Sequence, residues 1–349
     1  MPKLEGQDVS LLPGGPHPEP RRAIRRPAGI RLPTNMLLLP ALVVTLVVGA
    51  VVSPSFLTES NILQNIGGNS APLALVSFGE MLILITGNFD LSLQSTVGFA
   101  PMVAALLMSP VSTGGTGFGL NPYLAIMLTL LLGAAIGAVN AVMVVKLGLN
   151  AFMVTLAMLI VLSGLDLGLS NGETMSPLPG PYVYLGNADW LGIPVSVWVV
   201  VALGLILGGV LKHHQLGRAV YAIGGNSDAA RTAGIRVDAI RSGTFIIGGM
   251  FAALGGIAIA GITSAVTSSQ GNNMIFSVFA AVVIGGVSLQ GGRGSVLGVI
   301  SGVLLLGMIT NVLTLSQISA FWIDACYGLV ILLALMIGRL AGRASSSAN

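Results

Sequence analysis

Apolar residues run almost unbroken for the length of a membrane-crossing helix, give way to a few polar or glycine positions, and resume, from about residue 36 to 339. Stretches such as Val195 to Val210 are apolar at nearly every position and lack the period of two that marks a barrel strand. Because a lipid core offers the backbone no hydrogen-bond partner, each such run predicts a helix of roughly 20 residues. The pattern predicts ten, at about 36 to 52, 66 to 86, 91 to 109, 122 to 145, 151 to 170, 194 to 211, 243 to 263, 275 to 288, 295 to 315 and 321 to 339. The expected fold class is an all-α integral membrane protein, a polytopic helical bundle of about ten transmembrane spans. Two stretches, 87–90 and 275–294, are candidates for broken or re-entrant helices. The first is only a brief gap, and the second begins with a run short for a crossing.

Composition supports this division and excludes its competitors. The chain is 54% hydrophobic and 8% charged, where soluble domains carry about 25% charged residues. Too few charges exist to clothe a water-facing surface, so a soluble enzyme is excluded. The single cysteine, Cys326, allows neither an internal disulfide nor a cysteine metal cluster. Residues 1–35 are rich in Pro and Arg and read as a disordered basic cytoplasmic tail; 36–340 form the transmembrane domain, and 341–349 a second short cytoplasmic tail.

Lys and Arg in short loops concentrate on the cytoplasmic side. With both termini cytoplasmic, all 15 fall there: Lys3 and Arg21 to Arg31, Lys146, Lys212 to Arg241, Arg293, and Arg339 with Arg343. The outer loops carry only acids, Glu59, Glu173 and Asp189. One misplaced span would scatter the positive charges across both faces.

No catalytic constellation is present. His213 and His214 sit beside Lys212 at a helix end, and no further metal ligands lie nearby. Gly285-Gly286 and Gly291-Gly292-Arg293-Gly294 lack the Lys-Ser/Thr ending of a phosphate-binding loop, so this chain binds no nucleotide or metal by itself. The longest cytoplasmic connection, 212–242, predicts a helix over roughly 227 to 233. Asn226 or Ser227 is its N-cap, Asp228 occupies its first turn, and Gly234 takes the C′ position. So short a helix needs something packed against it, either its own spans or a partner.

Intramembrane acids are functional candidates because they are costly to insert. Glu80 either lines a pathway or bonds a neighbouring helix; Asp90 either caps the amides of Ser92 or Leu93 or contacts a solute. Asp166 and Asp324 are expected near outer span ends, where interfacial water solvates them. Asn88, Ser92, Gln94, Asn140, Ser288 and Asn311 are polar residues on or beside spans that complete the set of pathway candidates. Gly133, Gly137, Gly248, Gly249, Gly255 and Gly256 are small-residue sites for close helix approach.

Three blocks carry a resemblance. Thr86-Gly87-Asn88-Phe89-Asp90-Leu91-Ser92 is similar to a Thr-Gly-Gly-Ile-Asp-Leu-Ser segment. Leu216 to Asn226, followed by Ala229-Ala230-Arg231 and Gly234-Ile235, is similar to a cytoplasmic loop that contacts an ATPase, and Ala281 to Leu289 with Gly291 to Ser295 forms the third block. Together they resemble the permease subunits of ATP-binding-cassette importers of the ribose and simple-sugar type. The resemblance implies that Gly224, Gly225, Asn226, Ser227, Asp228, Ala229, Ala230, Arg231, Ala233, Gly234 and Ile235 form a coupling helix and its flanks, with small alanines letting a partner lie close. It implies a bacterial plasma-membrane subunit that is not itself an enzyme. A separate ATP-binding subunit would use ATP and Mg, an extracytoplasmic binding protein would deliver a sugar or polyol, and a second permease copy or relative would complete the pathway; no nucleic acid is involved. Asn88-Phe89 departs from the family's Gly-Ile. Alternatives are a permease for branched-chain amino acids or nucleosides, and an ion-coupled secondary transporter, which would need a relay of buried charges.

Overall fold

The computed structural model describes residues 34–319 together with Trp322, Ala325, Gly328 and Leu329. The expected tails up to residue 33 and from 341, most of the tenth expected span, Asp324 and Cys326 lie outside the described residues. The helices are α1 (Thr34–Val52), α2 (Asn69–Ile85), α3 (Leu93–Met108), α4 (Pro122–Ala141), α5 (Ala151–Ser170) and α6 (Gly180–Asn187). They continue as α7 (Val195–His213), α8 (Gln215–Gly225), α9 (Ser227–Thr232), α10 (Val237–Thr263), α11 (Met274–Ile284) and α12 (Val296–Leu315). A π-helical segment, Asn61–Gly68, leads into α2, and another, Val142–Lys146, prolongs α4.

Six of these helices are long and apolar enough to cross a membrane, with α2 and α4 counted together with their π-helical segments. Three others, Leu38–Val52, Leu93–Met108 and Met274–Ile284, are apolar but shorter. Among the described residues, length and composition therefore support six spans and do not confirm the expected count of ten. At 11 residues α11 extends about 16 Å, half a hydrocarbon core.

Helix starts follow from capping chemistry. Asn121 accepts from the Tyr123 N–H with Pro122 in the first turn, Asn150 from Met153, and Ser295 from Gly298. The bundle is organised around α2, which is 89% buried along its span, and α10, which packs against α2, α3, α4 and α6. By contrast α5 and α7 are only 22% and 28% buried. They turn Ile160, Val161, Leu205 and Ile206 outward, which suits lipid and not water. Close approach of α4 to α10 depends on Gly133 and Gly249: a methyl on either would overlap the other's backbone carbonyl.

The chain breaks at both expected places. After Ile85 the backbone turns through Gly87 at φ +82° before α3, and α11 ends in a loop with Gly286, Gly291 and Gly292 all at positive φ. Two features went unread in the sequence. The connection from Asn171 holds α6 and a hairpin, Asp189–Trp190 with Ile193–Pro194, turning on Leu191 and Gly192 at φ +55° and +79°. Leucine is a poor residue for that conformation, so no turn signal announced it. The 212–242 connection is also far more helical than the single short helix expected.

Candidate coupling and pathway sites

Helix α8 begins where His214 Nδ1 accepts from the Leu216 N–H (3.2 Å). It buries Gly217, Val220 and Ile223 at a spacing of three. That apolar stripe was the available signal for α8; the adjacent glycines masked it. Asn226 then stops one helix and starts the next. Its extended backbone (φ −161°) ends α8, and its Oδ1 accepts from the N–H groups of Asp228 (3.0 Å) and Ala229 (2.9 Å) at the head of α9. Gly234, at φ +83°, closes α9 as expected.

The face of α9 differs from the expectation in one respect. Ala230 is 4% exposed and packs with Ile223 and Val237, so it seats α9 on its own chain and is not offered to a partner. Asp228, Ala229, Arg231, Thr232 and Ala233 are exposed. Arg231 donates to both oxygens of Asp238 (2.7 and 3.2 Å) across an exposed pair.

At its far end α8 meets both helix breaks. Gly224 lies against the Ile85 carbonyl and Gly292, and Gly291 lies against the backbone of Gly224 and Gly87. Gly292 N–H donates to Ile85 O (2.9 Å), and the half-buried Tyr221 hydroxyl donates to Gly294 O (2.8 Å). Burial raises the Tyr221 phenol above its usual range, so it remains a donor at physiological pH. The three blocks that carry the resemblance, far apart in the chain, thus converge on one glycine junction.

The pathway candidates do not line one channel. Asp90, Ser92 and Asn140 are each 0% exposed and form a closed knot. Asp90 Oδ1 accepts from the Ser92 N–H (2.9 Å) and hydroxyl (2.6 Å), and Asn140 Nδ2 donates to Asp90 Oδ2 (3.2 Å) and Ser92 Oγ (2.8 Å). The capping alternative for Asp90 is thus present, tied also to α4. Glu80, equally buried, lies beside Asp90, with the Asp90 backbone within reach of its carboxyl and no side chain hydrogen-bonded to either oxygen among the described residues. Asn88 donates weakly to Thr86 Oγ1 (3.4 Å). Gln94 accepts from the Ile275 N–H (3.3 Å), tying α3 to α11.

Ser288 belongs to the loop before α12, where its hydroxyl accepts from Gln290 N–H (3.2 Å). Asp166 is not solvated at a span end: it is 4% exposed, beside Gly98. Asn311 lies elsewhere again, exchanging two hydrogen bonds with Asn61 (2.8 and 2.9 Å). Among the described residues no group of three or more His, Cys, Asp or Glu is placed to hold a metal ion.

Six helices long and apolar enough to cross a membrane, with a capped surface helix wired to two helix breaks, define the class as a multi-pass helical membrane protein. The chain belongs to the family described as branched-chain amino acid transport system / permease component, whose model matches residues 62–339. It is 34% identical to the ribose import permease protein RbsC of Escherichia coli over 85% of this chain and 91% of that protein. It is 32% identical to the L-arabinose transport system permease protein AraH of Escherichia coli (84% and 87% covered). To the autoinducer 2 import system permease protein LsrC of Photorhabdus luminescens it is 34% identical (77% and 79%). No solved structure matches the chain at a significant level.

Proposed function

We propose that this chain is the transmembrane subunit of an ATP-driven importer that carries a sugar or related polyol across the bacterial plasma membrane by alternating access. Both termini and the α8–α9 segment face the cytoplasm, in keeping with the distribution of Lys and Arg. A separate ATP-binding subunit, using ATP and Mg, seats on the exposed face of α9. An extracytoplasmic binding protein delivers the solute, and a second permease, identical or related, completes the pathway. The observation that carries this reading is the glycine junction. A push on α9 reaches α8, and backbone contacts from Gly224 pass it to the ends of both α2 and the loop before α12.

Relatives named for ribose and arabinose support a sugar over the amino acid in the family description. The competing ion-coupled reading finds little support, since Asp90 is tied into a knot with Ser92 and Asn140, Glu80 lies outside that knot and Asp166 is buried apart beside Gly98, so the three are not strung into a relay. Uptake of radiolabelled pentose into energised vesicles tests the proposal. It should follow ATP and persist when ion gradients are collapsed; dependence on the gradient alone would defeat it.

A further inference from the structure

The π-helical segment before α2 carries Asn61 and Asn65, and Asn69 opens α2 itself; spaced by four, the three face Thr310, Asn311 and Thr314 of α12 across a cleft of about 270 Å³. Both sides of the cleft belong to candidate membrane spans. Asn65 and Asn69 are exposed. Amides bared to lipid are costly, whereas amides bared to a water-filled path are not.

The bonding pattern separates structural groups from available ones. Asn61 and Asn311 satisfy one another, and Asn61 also donates to Phe56 O (2.9 Å). Asn65 donates one amide N–H to Asn61 Oδ1 (2.9 Å), which leaves its second N–H and its own oxygen open. Asn69 makes no side-chain hydrogen bond among the described residues. Thr314 directs its proton to Thr310 O (2.8 Å) and presents its oxygen as an acceptor. The lining thus offers neutral donors and acceptors, and no charged side chain is among it.

We infer that this cleft is a contact site for the transported solute, and that it selects an uncharged polyhydroxylated molecule. Each amide can give and take a hydrogen bond at neighbouring atoms, as a run of hydroxyls requires. A zwitterionic amino acid would instead need a counter-charge, because a charged group leaving water is stabilised only by pairing. The volume lies just under the roughly 300 Å³ at which drug-sized sites begin, which suits a small solute. The inference rests on the proposed transport function and on the outward placement of Asn61 that follows from a cytoplasmic N-terminus. It names residues outside the Asp90 knot as the point of contact.

Asn69 is the residue to test, because it has no internal bond to lose. In cells, with variants compared at equal amounts in the membrane, Asn69→Leu is expected to lower initial uptake of D-ribose or L-arabinose about tenfold. That corresponds to roughly 1.4 kcal/mol, the size of one or two lost hydrogen bonds. Asn69→Gln, which keeps the amide, should retain uptake within about threefold, a rescue that a purely space-filling role would not give. In a Cys326→Ser background, a thiol at Asn69→Cys should react with a membrane-impermeant maleimide added outside and be protected by excess pentose. Uptake by Asn69→Leu at the unaltered rate, or no outside labelling because a second copy or another part of the chain covers the cleft, overturns the inference while leaving the transport function intact. Two results with the unaltered chain separate the outcomes: absence of ATP-driven uptake of pentose and of L-leucine alike defeats both readings, whereas ATP-driven L-leucine uptake without pentose uptake defeats the polyol assignment alone.

Discussion

The backbone N–H of Gly292 donates to the carbonyl of Ile85 at 2.9 Å, so the end of α2 and the loop before α12 are joined directly through their main chains. Gly224 is wedged against both groups. Backbone atoms cannot swing aside as a side chain does, so the junction transmits displacement with little slack.

Gly224→Ala should therefore be poorly tolerated. Its methyl would overlap the Ile85 carbonyl and the Gly292 N–H, and overpacking of this kind costs about 1–3 kcal/mol. The expected result is a lower thermal midpoint for the purified permease together with a severe loss of uptake. Gly225→Ala, with open space at its Cβ position, serves as the matched control and should retain both.

Tyr221→Phe removes the hydroxyl that donates to Gly294 O and leaves that carbonyl unpaired. A stability loss of about 1–3 kcal/mol is expected, the desolvation cost of one orphaned group. Denaturant unfolding in detergent measures it, and an unchanged midpoint would mean that water replaces the hydroxyl.

Helix α9 allows structure and docking to be separated. Ala230→Glu forces a carboxylate between Ile223 and Val237 and should destabilise the permease by itself. Ala229→Glu places the same charge on the exposed face; it should leave the midpoint unchanged and block co-purification of the ATP-binding subunit. Asn226→Ala lies between these cases. It removes the oxygen that accepts from two N–H groups and should cost about 1 kcal/mol, with Asn226→Asp restoring most of it.

The legibility of these features follows from how each is encoded. Spans were readable because apolar length is a local property, and α9 was readable because Asn226 and Gly234 bracket it. Helix α8 was missed because Gly217, Gly224 and Gly225 are weak helix formers held in place by packing, and packing is not local. The Asn61, Asn65 and Asn69 series was present as a period of four, yet its meaning depends on Asn311, which approaches only in the folded chain. The alanines of α9 were equally small in the sequence, and only the fold assigns Ala230 inward and Ala229 outward.

Glu80 offers the sharpest division between an ATP-driven and an ion-coupled machine. Its side chain is 0% exposed, no side chain hydrogen-bonds either carboxyl oxygen, and no cation pairs with it among the described residues. A structural carboxyl so placed gains nothing from ionisation, because desolvating its charge is uncompensated. Glu80→Gln preserves its shape and removes the titratable proton. The permease should then unfold at an equal or higher midpoint, and ATP-driven uptake should persist within about twofold, since a same-shape replacement of an unpaired polar group is close to neutral. A carboxyl that carries protons with each cycle would behave oppositely, with uptake abolished and the midpoint unmoved. Parallel measurement of uptake and thermal unfolding on the one variant distinguishes the two.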